Sequence, residues 1–84
     1  MIRILLAVAF AFAAGSALAD RPVSQEEKSA IQHVLAAEGC VGGKMEFDTD
    51  DDKFEIDKTT CSDGAQWDYD LDSSYKVIKK EKKS

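Results

Sequence analysis

The chain has 84 residues, 44% of them hydrophobic, and 16 Asp and Glu against 11 Lys and Arg, for a net charge of −5. A chain this short forms one domain at most, which excludes an active-site cleft between domains. From Asp20 to Tyr75 there are fifteen acids and five bases, and an acidic body of that kind repels phosphate and argues against nucleic acid as a partner.

The first element is a leader. Arg3 gives a positive start, Ile4 to Ala14 is an uncharged apolar run, and Ala17-Leu18-Ala19 is a small-x-small cleavage pattern, so residues 1–19 read as a signal peptide and Asp20 as the first mature residue. The alternative is a retained anchor, but the run falls short of the ~20 apolar residues that a bilayer needs. Export implies a periplasmic or secreted protein with no stable membrane span after cleavage. Removal of Arg3 leaves ten bases against sixteen acids, a net charge of −6.

Ser24-Gln25-Glu26-Glu27 fits a capping box and starts a helix. Ala30, Ile31, Val34 and Leu35 follow helical spacing and form its buried stripe, and Gly39 ends it as the left-handed residue past the cap. After Gly42-Gly43 the period changes to two. Lys44 to Asp48 alternates with Met45 and Phe47 on one face, Thr49 to Asp52 turns, and Lys53 to Asp57 alternates with Phe54 and Ile56 inward. Lys58 to Gly64 reads as a loop carrying Cys61. Ala65 to Leu71 is a third strand with Ala65, Trp67, Tyr69 and Leu71 inward, and Tyr75 to Lys79 is a short fourth with Tyr75 and Val77 inward. The expected fold is α+β in two layers: one N-terminal helix packed on a four-stranded antiparallel meander. The expected domain covers 20–79. Residues 80–84 read as a frayed basic tail, the end of a segment from Lys76 to Ser84 with five lysines and one acid, Glu81.

Cys40 and Cys61 are an even pair in a short exported chain, which favours a disulfide over two buried thiols or half of a metal site. A zinc site wants four ligands, and His33 is the only histidine. Asp48-x-Asp50-x-Asp52 begins like a calcium-binding EF-hand loop, but Lys53 stands in place of the sharp-turn glycine and Thr59 in place of the bidentate glutamate. His33 falls off the apolar stripe and should be exposed, and Trp67 and Tyr69 share the inward face of their strand. No metal or cofactor is expected, and no constellation supports an enzyme. The outward residues Glu46, Asp48, Glu55, Asp57, Asp68 and Asp70 form an acidic face that could meet a basic partner.

The layout resembles the PepSY domain family, in particular its small exported single-domain members. The resemblance rests on Glu38-Gly39-Cys40 at the helix end, Gly42-Gly43-Lys44 before the first strand, and Lys53-Phe54-Glu55-Ile56-Asp57. Cys61-Ser62-Asp63-Gly64, Trp67 to Asp72 and Tyr75-Lys76-Val77-Ile78 look like the family's closing hairpin, with Ser73-Ser74 where many members carry Thr-Gly. The resemblance implies a non-catalytic module that binds, and inhibits or regulates, an envelope protein such as a peptidase. The other expectation is a stand-alone envelope or stress-related protein that binds cations through its acidic face.

Overall fold

The computed structural model describes residues 20–83, so the expected signal peptide at 1–19 lies outside the described residues. In chain order the elements are β1 (Asp20–Pro22), α1 (Gln25–Ala37), β2 (Cys40–Val41), β3 (Lys44–Asp48), β4 (Lys53–Cys61), β5 (Gln66–Asp72) and β6 (Val77–Lys82). Among the described residues, no helix is long and apolar enough to cross a membrane.

Helix α1 begins as the sequence dictates. Ser24 Oγ accepts the Glu27 amide at 3.1 Å, and the Glu27 carboxylate accepts the Ser24 amide at 2.8 Å, completing the capping box. Gly39, at φ +80°, ends the helix, and a Cβ there would meet Ser62 Oγ at 3.1 Å. The helix buries Ile31 and Leu35 completely against Phe47, Phe54, Ile56, Tyr69 and Leu71. Phe47 and Phe54 meet edge to face at 4.7 Å, a favoured geometry for a ring pair.

The layers are those expected, but the sheet has six strands where four were expected. Its order is β1-β3-β4-β5-β6, with β2 also paired to β4, and every pairing is antiparallel. The lead-in pairs as β1, with Asp20 opposite Asp48 and Pro22 opposite Glu46. Cys40 and Val41 pair as β2 opposite Cys61 and Thr60, so the stretch from Thr59 to Cys61 is strand rather than the expected loop.

The ladder crosses Asp57 and Lys58 through a register shift, with Lys58 at φ 58°. Gly43 packs on this irregularity so closely that a Cβ would lie 2.9 Å from the Asp57 carbonyl oxygen. The last strand also begins later and ends later than expected. Tyr75 sits in the turn at φ 67°, although its ring still stacks on Phe54 at 5.0 Å. Lys80, Glu81 and Lys82 belong to β6 instead of a frayed tail.

Strand β1 is fastened to the helix by charge. The Arg21 guanidinium lies 4.5 Å above the Phe47 ring and donates to both carboxylate oxygens of Glu27 at 2.9 Å. These bonds, with the Ser24 amide, hold the Glu27 carboxyl at about 2, below its usual 4.5. A depressed carboxyl contributes stability above its unfolded value and loses it as pH falls toward the folded one. Glu27→Gln should therefore cost about 1 kcal/mol at neutral pH. In denaturant titrations that difference should shrink between pH 4.5 and pH 2.

Thr59 is fully buried, and its hydroxyl finds no hydrogen-bond partner. An orphaned buried hydroxyl is destabilising, and valine has the same shape without it. Thr59→Val should raise unfolding stability by about 1 kcal/mol, read as an increased denaturation midpoint at unchanged slope.

Candidate functional site

Alternation along β3, β4 and β5 sends one set of side chains under the helix and the other to solvent. The register then arranges the solvent set in rows. Glu46 stands opposite Glu55, Glu55 opposite Asp70, and Asp70 opposite Lys79. Asp48 stands opposite Lys53, which faces Asp72 on its other side. All six acids read from the sequence as a possible partner face lie on these three strands. Glu55, Asp57, Asp68 and Asp70 line one shallow groove of about 200 Å³ with Lys53, Lys79 and Glu81.

The acids are unequally compensated. Lys53 Nζ lies 2.9 Å from Asp70 and 4.0 Å from Glu55. The hydrogen bond to Asp70 and its charge push the Lys53 ammonium above its usual range. Lys44 reaches Glu46 at 3.7 Å. Burial works to raise the Asp68 carboxyl, but the Lys58 amide at 2.9 Å and Lys83 Nζ at 3.1 Å outweigh it and hold it below the usual value. Asp48 is engaged locally, accepting the Asp50 and Asp51 amides at 2.9 and 3.2 Å to shape the turn. Glu55 goes the other way: partial burial raises its carboxyl, and Asp20, Asp48 and Asp70 raise it further.

One member of the cluster was missed. Asp20 comes near Glu46 and Glu55, with carboxylate oxygens of all three within 4.8 Å of one another. Among the described residues this is the group close enough to share an ion, and the Asp48–Asp52 turn that begins like an EF-hand forms no such group. The signal was the charge of Asp20 itself, but only the pairing of β1 brings it to the face.

The other end of the molecule carries the disulfide. Cys40 and Cys61 are bonded directly across the β2–β4 ladder. With Glu38, Trp67, Tyr69 and Lys80 they line a depression of about 140 Å³ on the helix side. Tyr69 is buried and donates its hydroxyl to Glu38 at 3.2 Å, and burial, then Glu38, raises its phenol above the usual value. Trp67 is only partly buried. Its Nε1 donates to Asp63 at 3.1 Å, and Lys80 Nζ lies 5.6 Å above the indole. His33 is exposed, as its helical position required.

Fold and surface together define a small disulfide-tied α+β module whose distinguishing feature is an open, charged sheet face. The chain belongs to the peptidase propeptide and YPEB domain family, PepSY, whose family model matches residues 3–81. No curated protein and no solved structure matches the chain. Membership supports a module of the peptidase propeptide or regulatory type.

The acid row has a measurable consequence. A carboxyl whose folded value is raised disfavours folding above that value, and the penalty vanishes once it is protonated in both states. Glu55→Gln should therefore stabilise the domain at pH 7 by about 0.5 kcal/mol after solvent screening. The gain should fade as pH falls through the raised folded value, and should be absent in melts below 4.5, the ordinary value.

Proposed function

We propose that this domain is a non-catalytic, exported binding module that restrains or assists an envelope protein, in the first instance a peptidase, by docking a basic surface on its acidic sheet face. The observation that carries this reading is the row Glu46, Glu55 and Asp70, side by side across three strands. Like charges placed directly opposite destabilise a sheet, and the core does not need them there. A basic partner would relieve that repulsion and would be drawn in by it. Family membership supports the peptidase as the class of partner. Residues 1–19 direct export and are removed after Ala19, leaving Asp20 at the head of β1 in a periplasmic or secreted protein. The intact mass of protein recovered from the envelope checks this.

The convergence of Asp20, Glu46 and Glu55 supports a second reading, in which a stand-alone envelope or stress-related protein binds cations on the same face. The two readings separate in one experiment. Partners are captured from envelope extract by the parent and by a variant carrying Glu55→Lys and Asp68→Lys, at low and high salt. Capture of a peptidase that is lost in the variant and at high salt is the expected result. Capture indifferent to both changes overturns the acidic face. No captured protein, with a calcium-dependent rise in melting temperature, puts the cation reading in its place.

A further inference from the structure

The sheet ends on one side at β6, which pairs with β5 alone. Asp68 lies opposite Glu81 and Asp70 opposite Lys79, and the Lys83 amide donates to the Gln66 carbonyl at 2.8 Å. In an antiparallel ladder every second residue turns both of its peptide groups to the partner strand. Lys79, Glu81 and Lys83 are therefore spent on β5. Lys80 and Lys82 direct their N–H and C=O groups away from the sheet, along a free edge, and the register shift beside Leu71 leaves Ile78 as the extra residue of a bulge just before them. The Ile78 side chain is 54% exposed beside them.

We propose that this edge receives an extended acidic segment of another protein by strand addition, independently of the outer-face reading above. The choice of occupant comes from charge. Val77–Lys82 carries three lysines and one glutamate and is flanked by Lys76 and Lys83. A second copy paired edge to edge would set lysine against lysine, and like charges opposite one another across a ladder are destabilising. The same lysines favour carboxylates at alternate positions of an incoming strand, chiefly beside Lys82, since Lys80 on the same side already pairs with Glu38 at 3.6 Å. Main-chain hydrogen bonds would supply the affinity and those carboxylates the selectivity. Among the described residues, the opposite side of the sheet ends in shorter edges, the two residues of β2 and the three of β1. There β1 contains Pro22 and begins at the Asp20 carboxylate cluster, which repels an acidic strand.

The test titrates the isotope-labelled protein with a capped heptapeptide of sequence Glu-Thr-Glu-Val-Glu-Thr-Glu, following backbone amides by NMR. Shifts and slowed hydrogen exchange are expected at Lys80 and Lys82. N-methylation of one alternating set of peptide residues should abolish binding while methylation of the other set preserves it. Lys82→Glu should weaken binding about fivefold, and a peptide with lysine in place of each glutamate should not bind. Equal binding of both methylated peptides would show charge contact without strand pairing and would overturn the proposal. So would shifts centred on the outer acidic face or on the Trp67 depression, self-association through β6, or no binding at millimolar peptide.

Discussion

The Cys40–Cys61 bridge is the constraint on which the rest of this structure leans. One helix of 13 residues covers the sheet, and it places only Ile31 and Leu35 fully inside. A core that small leaves a domain of this size marginal. The bridge spans 21 residues of sequence, and closing such a loop in the unfolded chain is worth about 3 kcal/mol in the chain-entropy model. Its position matters as much as its size. It joins β2, immediately after the helix, to the far end of β4, so the helix terminus and the central strand are fixed to each other. The hydrogen bond from the Ser62 amide to the Gly39 carbonyl, at 2.8 Å, closes the same corner. With that end fastened, the opposite face of the sheet can carry charges that add nothing to the core.

That division of labour shows in the electrostatics. Glu27 and Arg21 are arranged so that ionisation helps folding: they cap a helix, hold an edge strand and cover Phe47 at once. Glu55 is arranged so that ionisation opposes folding: partial burial comes first, the carboxylates of Asp20, Asp48 and Asp70 add to it, and Lys53 reaches it only at 4.0 Å. Two glutamates in one small domain thus sit on opposite sides of the thermodynamic balance. The one built for stability is locked to its partner, and the one facing solvent on the sheet is left in need of a counter-charge.

Much of this fold was legible in the sequence where side chains alone decide it. Ser24 and Glu27 marked the helix start, Gly39 its end, and strict alternation marked β3, β5 and the first half of β4. The failures have physical causes. Strands β1 and β2 are three and two residues long, too short to show a period, and β1 contains a proline. At Lys58 the left-handed backbone breaks the alternation, so Thr59 returns to the buried side out of phase and the second half of β4 reads as loop. In β6 the helix-side position opposite Tyr69 is held by Lys80, whose ammonium ion-pairs with Glu38 at 3.6 Å and lies above the Trp67 and Tyr69 rings. A lysine with a covered stem looks polar in sequence and behaves as amphipathic in place. The acidic face followed from alternation, but the inclusion of Asp20 and the interleaving of Lys53 and Lys79 depend on cross-strand register, which composition does not encode.

The way β1 is held also sets where the native state comes apart first. Strands β3, β4, β5 and β6 are joined by short turns, so each pairing closes a small loop and is retained by neighbours on both sides or by a tight hairpin. Strand β1 returns to β3 across the whole of α1, for three register pairs. Chain entropy favours its release, and apart from those pairs the Arg21–Glu27 bond is its main tether. The amides of the outer half of β3 should thus exchange with solvent through a local opening well short of global unfolding. In that opened state the carboxylate of Asp20 leaves Glu46 and Glu55, and the free edge of β3 becomes a second, transient place where another chain could join the sheet.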